Sequence, residues 1–178
     1  VIREVDGTVS VGELYNGQVF YFARLLREVL DVRVGIIHSS VCGAAIETWI
    51  PREIFVRFPS IKLPSDISQE TRQVLVPAVL FNGMLNPIAG YAVKGAVWYQ
   101  GEANVGRYKE YPALFAAMHK AWQRYWDNER MPVYLCQIAP FRFPAEAGNA
   151  FMREAQLKLA QTQLNTGIAI LMDAGEDW

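Results

Sequence analysis

Gly95-Ala96-Val97-Trp98-Tyr99-Gln100, running into Gly101-Glu102-Ala103-Asn104, is a short apolar run that stops at a glycine and a set of polar side chains. Its length and its β-branched and aromatic content predict a strand. The run is apolar almost throughout, which predicts burial on both faces, as in a parallel sheet covered by helices. Three other runs share this character, at residues 32–41, 133–138 and 167–172.

Between these runs the apolar period lengthens to that of a helix. Residues 16–30 carry Val19, Phe22, Ala23, Leu26, Val29 and Leu30 at helical spacing, with Asn16 as a candidate N-cap. Residues 108–126 align Tyr111, Leu114, Phe115, Met118, Trp122 and Tyr125 along one side, and residues 150–164 carry Phe151, Ala155, Leu159 and Ala160. Residues 68–84 hold a weaker helical pattern, and residues 51–68, with Pro51, Pro59 and Pro64, form one long irregular connection. Helix and strand alternate, which predicts an α/β fold: an open three-layer sandwich with a mostly parallel sheet and right-handed crossovers. Residues 1–178 are expected to form a single domain.

The chain has 178 residues, 52% hydrophobic and 20% charged, which fits one globular domain and excludes compositional disorder. Its 17 Lys and Arg against 18 Asp and Glu leave a net charge of -1, with no basic run to follow a phosphate backbone, so nucleic acid is not an expected partner. No apolar stretch approaches the roughly 20 residues of a membrane-spanning helix, and no membrane partner is expected. Cys42 and Cys136 both lie in apolar segments and are expected to pack as small buried hydrophobes. With His38 and His119 as the only histidines, and no CxxC or HxxxH spacing, neither a metal site nor a cofactor is expected. The first residues show neither an initiator Met nor the basic start and apolar run of a signal peptide, so an upstream segment is expected to have been removed.

Open α/β sheets bind ligands beyond the carboxyl ends of their strands. Those ends are His38-Ser39-Ser40-Val41-Cys42-Gly43-Ala44, Tyr99 with the residues to Asn104, Gln137-Ile138-Ala139-Pro140, and Asp173-Ala174-Gly175-Glu176-Asp177. A rigid donor at such an exit can stabilise developing negative charge. Gly43 could present a backbone N–H and Gln100 a side-chain amide. A glycine after a strand also serves simply as a turn, and a glutamine there also serves to satisfy backbone groups. Glu102 is either a solvated loop carboxylate or an acid that orients its neighbours. The residues alone leave both readings open.

The run from Lys94 to Asn104 resembles the WYQGEsN signature of the sialate O-acetylesterase family, within the wider SGNH hydrolases. Gly35-Ile36-Ile37 through Ile46-Glu47-Thr48-Trp49 resembles the family's GLI-SS-GGT-IEAW block, and Phe81-Asn82-Gly83-Met84 its YNGM. Residues 132–140 resemble PFYFVQIAP, and Arg153-Glu154-Ala155-Gln156 resembles REAQ, all in the family's order. The resemblance implies a flavodoxin-like sandwich of the SGNH type. It also implies a secreted or periplasmic carbohydrate O-acetylesterase that hydrolyses O-acetyl esters on sugars such as sialic acid by a Ser-His-Asp mechanism without a cofactor. The expected partner is an acetylated carbohydrate. Gly43 matches the second Gly of the GGT block and Gln100 the amide of the QGE block, both implied oxyanion donors, and Glu102 becomes a loop-organising acid.

The sequence also departs from the pattern. Cys42 stands for the first Gly of the GGT block and Ala44 for its Thr. No GQSN-like nucleophile block occurs between Val1 and Asn16, and Asp173-Ala174-Gly175-Glu176 resembles the D-x-G-D turn after which the family's DIHP-like block would follow. The chain is therefore expected to be an internal portion of the catalytic domain, lacking the first strand and inactive alone. Substitutes within the chain are poor, with His38 expected on the opposite side of its strand from Ser39 and His119 expected as a surface or boundary residue of its helix. No G-x-S-x-G elbow occurs. The alternative reading is a non-catalytic pseudoenzyme or glycan-binding α/β module.

Overall fold

The structure, a computed structural model, describes residues 2–4, 17–69, 72–140 and 148–173. The candidate cap Asn16 and the exit residues 174–177 lie outside the described residues. The chain forms two compact units, Val1–Ser40 and Val41–Trp178.

In the first unit, strand β1 (Ile2–Glu4) pairs antiparallel with β2 (Gly35–Ile37), in the register Ile2 to Ile37, Arg3 to Ile36 and Glu4 to Gly35. Helix α1 (Gly17–Leu30) lies between them in sequence, and among the described residues Ala23 and Ile36 are the buried apolar ones of this unit. Asp31 ends the helix with φ at +51°, its N–H donating to the Arg27 carbonyl at 3.0 Å. The strand expected over 32–41 thus shrinks to three residues and pairs antiparallel with β1, outside the parallel sheet. One edge of β2, over Gly35–Ile37, is thereby paired.

The second unit carries the parallel sheet, in the order β3 (Ala96–Tyr99), β4 (Val133–Cys136) and β5 (Thr166–Ala169). Helices α2 (Tyr111–Tyr125) and α3 (Gly148–Thr162) make the two crossovers and touch each other. Pro112 begins α2, where its missing N–H costs nothing. Asp127 after α2 and Asn165 after α3 take φ of +46° and +56°, so short polar residues end these helices where glycine often does. The α/β architecture with a parallel sheet agrees with the sequence.

Two expectations fail here. Residues 68–84 do not form an α-helix but break into the 3₁₀ turns Ile67–Gln69 and Gln73–Leu75 and a π turn at Phe81–Leu85. Pro77 lacks the N–H an α-helix needs, and Ala78 sits at φ +66° with its N–H donating to the Glu47 carbonyl at 3.0 Å. The sheet is also not buried on both faces. Val133 and Leu135 are 0% and 1% exposed, but Tyr134 between them is 46% exposed and Tyr99 40%. Tyrosine supplies an apolar ring with a phenol that tolerates water, so an unbroken apolar string does not require two covered faces.

The covered face packs three tryptophans edge to face. Trp98 on β3 meets Trp49 at 6.1 Å and Trp122 on α2 at 5.5 Å between ring centroids. Two of the indole N–H groups have partners: Trp122 donates to the Trp49 carbonyl, and Trp98 to the Tyr111 hydroxyl, both at 3.0 Å. Buried aromatics with polar edges require this. The packing carries the turn Ile46–Trp49 against the carboxyl end of β3.

Candidate active site

Just beyond β3 the chain passes close to its neighbours at Gly101. A Cβ on Gly101 would lie 2.7 Å from Ile138 Cγ2 and 3.0 Å from Gln156 Nε2. Only glycine lets the chain pass between the end of β4 and helix α3 here. The preceding Gln100 carbonyl accepts from the Tyr111 hydroxyl at 3.1 Å and from Gln156 Nε2 at 2.9 Å, while Gln156 Oε1 accepts the Ile138 N–H at 3.1 Å. The REAQ glutamine therefore clamps two strand ends together. Complete burial pushes the Tyr111 pKa well up, because it disfavours the charged phenolate.

Asn104, 1% exposed, is the hub of the site. Its Oδ1 accepts the Ile46 N–H at 3.0 Å and Gln100 Nε2 at 2.7 Å, and its Nδ2 donates to Glu47 Oε2 at 2.9 Å. The backbone donor on one side and the carboxylate on the other fix which end of the amide is oxygen. That in turn fixes Gln100, because a flipped Gln100 would set oxygen against oxygen. Its Nε2 donates to both Asn104 Oδ1 and the Ala44 carbonyl, the latter at 3.2 Å. Gln100 Oε1 is buried with no hydrogen-bond partner among the described residues.

Glu47, 3% exposed, is the buried acid of the network, and Arg107 forms an ion pair with its Oε1. Glu102, by contrast, is exposed and opens the turn Glu102–Arg107. Its charge bears on Tyr99, whose phenol pKa is raised first by burial and then by this neighbouring carboxylate. The buried acid of this loop network is Glu47, and Glu102 lies on its exposed side. Gly43 lies in an exposed turn at φ +71°, a conformation costly for other L-residues, and among the described residues its N–H has no partner. The amide of Gln100, by holding Ala44, holds the peptide that follows this turn.

The remaining candidates separate. Ser40 Oγ and His38 Nε2 are 2.8 Å apart, on the same side of an extended segment as their spacing requires, and Ser39 Oγ is buried and unpartnered among the described residues. Among those residues no carboxylate holds the other His38 nitrogen. His119 is neither surface nor boundary but 0% exposed, with Nε2 donating to the Met131 carbonyl at 2.7 Å. Burial lowers its pKa, so it is neutral and built into the core. Cys42 is exposed because it shares the turn with Gly43, whereas Cys136 is half-buried and burial raises its thiol pKa; both are free. Among the described residues no cluster could hold a metal ion, and no helix is long and apolar enough to cross a membrane.

Sequence reasoning singled out Gln100 and passed over Asn104, Glu47 and Arg107. The available signal was spacing: Asn104 lies four residues after Gln100, and Glu47 sits in an otherwise apolar buried turn, where an ionised side chain needs a partner.

The comparisons with known proteins agree with one another. The family model described as carbohydrate esterase, sialic acid-specific acetylesterase, matches residues 15–174. The sialate O-acetylesterases of Pongo abelii and Homo sapiens are 32% and 31% identical over 113 residues, 57% of this chain and 20% of each of those proteins. The crystal structure of a carbohydrate acetylesterase from Xanthomonas citri superposes with a TM-score of 0.75 at 30% identity, over 89% of this chain and 34% of that one. The chain thus spans about a fifth of the length of those two curated relatives.

Proposed function

The chain belongs to the sialic acid-specific acetylesterase family of carbohydrate esterases, and from that premise we propose that it supplies one wall of the active site of a carbohydrate O-acetylesterase. The substrate class is an O-acetylated sugar such as an acetylated sialic acid, met outside the cytoplasm, and the reaction is ester hydrolysis by a Ser-His-Asp triad. The observation that carries this reading is the Gly43 turn. A backbone N–H free among the described residues, in a left-handed turn braced through Ala44 by Gln100, is the rigid donor that a tetrahedral oxyanion requires.

In this reading Gly43 donates to the oxyanion. Gln100 positions that turn, and its own amide reaches the oxyanion only by exchanging one of its two present acceptors. Glu102 lines the rim beside Tyr99. The serine and histidine of the triad are supplied by segments other than those described. Ser40 with His38 lacks an orienting acid among the described residues, and His119 is occupied by the Met131 carbonyl.

The test compares residues 1–178 with the open reading frame from which they are translated, assaying acetate release from p-nitrophenyl acetate and from an O-acetyl sugar. The longer protein is expected to release acetate, and Gly43→Pro, which removes the N–H and cannot hold the φ of +71° that aims it, to lower kcat by about 10²-fold or more. Residues 1–178 alone are expected to be inactive. Acetate release by the short chain that is lost in Ser40→Ala would overturn the placing of the nucleophile. A second reading, a glycan-binding module without catalysis, is favoured by one observation, that both N–H groups of Gln100 are already taken. Sugar binding by the longer protein without acetate release would select it.

A further inference from the structure

The turn that carries Gly43 is closed by the Ala44 N–H, which donates to the Val41 carbonyl at 3.4 Å. The carbonyl of the same Ala44 accepts from Gln100 Nε2 at 3.2 Å. The aim of the Gly43 N–H therefore depends on which end of the Gln100 amide faces Ala44, and only the NH2 end can hold a carbonyl. The same Nε2 donates to Asn104 Oδ1, which also accepts the Ile46 N–H. Asn104 must accordingly keep its oxygen on this side and its NH2 on the other.

On the other side lies Glu47, 3% exposed. An amide there could present either end, whereas a carboxylate only accepts. Glu47 Oε2 accepts from Asn104 Nδ2 at 2.9 Å, and the Arg107 guanidinium lies against Oε1. Arg107 only donates, so it reserves one acceptor of residue 47 and leaves the opposite end to meet Asn104. Asn104 and Arg107 belong to one turn, Glu102–Arg107, which brings the two donors to the two oxygens together.

We propose that Glu47 and Arg107 are positioning residues of the esterase site: their ion pair sets the polarity of the chain Asn104, Gln100, Ala44 and thereby the aim of the Gly43 N–H. Both act through that chain, and the inference rests on the reading of Gly43 as an oxyanion donor. Polarity, unlike packing, can be reversed. Glu47→Gln keeps the shape, but Arg107 draws the new amide's oxygen and leaves its NH2 facing the NH2 of Asn104. Turning Asn104 over would only set its NH2 against the Ile46 N–H and Gln100 Nε2. In Asn104→Asp two carboxylates face each other. Combining the two changes restores every pair. The NH2 at position 47 donates to the new carboxylate, the amide oxygen accepts from Arg107, and the second carboxylate oxygen keeps Ile46 and Gln100.

The experiment measures kcat and KM for acetate release from an O-acetyl sugar by the longer protein carrying Glu47→Gln, Asn104→Asp or both. Amide and side-chain NMR of isotope-labelled residues 1–178 with the same changes accompanies it. Each single change is expected to lower kcat about tenfold or more with KM within about twofold, and to shift the Gln100 NH2 and Ala44 N–H signals. The double variant is expected to return kcat to within about threefold of the unaltered protein and the signals to their original positions. Unchanged kcat in the single variants, a loss confined to KM, or a double variant that is unfolded or no better than the poorer single one would each overturn the proposal. Where a single variant fails to fold, the double variant against the unaltered protein decides. Absence of acetate release by the longer protein removes the esterase reading by itself. The NMR signals then decide the polarity: recovery in the double variant upholds it, and shifts that persist overturn it.

Discussion

Asn104 holds three segments with one side chain, and its loss is expected to be felt beyond its size. Truncation in Asn104→Ala leaves the Ile46 N–H and one N–H of Gln100 buried without an acceptor. Each such orphan costs about 1–3 kcal/mol, so a loss of about 2–4 kcal/mol is expected in denaturant unfolding, against less than about 1 kcal/mol for the exposed Glu102→Ala. Equal losses at the two positions would contradict the assignment of Asn104 as hub and Glu102 as rim. Gly101→Ala tests the neighbouring contact, where the added methyl meets Ile138 at 2.7 Å and should cost about 1–3 kcal/mol. Part of this was legible in the sequence: the polar exit after β3 marked the place, and Gln100 donates to the carbonyl of Ala44, the residue after Gly43. The partner choice was not legible, because Glu47 and Asn104 are 57 residues apart and only the packing of Trp49, Trp98 and Trp122 brings them together. Nor could spacing show that Gln100 has both N–H groups occupied.

Helices α2 and α3 and the parallel strands were legible because long amphipathic periods and continuous apolar runs survive without knowledge of the fold. The segment 68–84 was misread because periodicity ignores the missing N–H of Pro77. In α2 the same periodic stripe contains His119, and polarity alone predicts it near solvent; the structure buries it with one donor satisfied and Nδ1 unpartnered among the described residues. Its pKa is lowered from 6.5 in the fold, so the unfolded chain takes up the proton first. The stability this neutral histidine gives is therefore complete above the unfolded value of 6.5 and is lost as pH falls from there through the lower folded value, with a slope of at most about 1.4 kcal/mol per pH unit. Unfolding free energy measured across this window should decline toward acid, and His119→Gln, which keeps a donor for Met131 but does not titrate there, should flatten the decline. An unchanged slope in that variant would mean another group is responsible. Reactivity across β4 offers a second check. The exposed Cys42 should react with a thiol reagent quickly and the half-buried Cys136, its thiolate disfavoured by burial, slowly. Two equal fast phases would contradict the burial of β4's end.

For the molecule as a whole, the apolar surface left in view sets its behaviour in solution. In the second unit Tyr99, Tyr134, Ile170 and Met172 are 40–50% exposed, and β3 and β5 are edge strands of their sheet among the described residues. In the first unit Tyr21, Leu25 and Val29 recur every four residues on α1 at 59–70% exposure. An open strand edge beside exposed aromatic and aliphatic side chains favours pairing with another copy, and an apolar helical stripe does the same without needing an edge. Residues 1–178 are therefore expected to associate reversibly in sedimentation velocity between low micromolar and a few hundred micromolar protein. The two surfaces can be told apart, because Tyr134→Lys charges the sheet face and leaves α1 unaltered, whereas Leu25→Glu does the reverse. If the sheet face drives association, only Tyr134→Lys shifts the distribution toward monomer; if the helix drives it, only Leu25→Glu does. A monomer at every concentration, with a cooperative unfolding transition that does not depend on protein concentration, would show that these side chains are accommodated in water without a partner, and the self-association expected from them would be wrong.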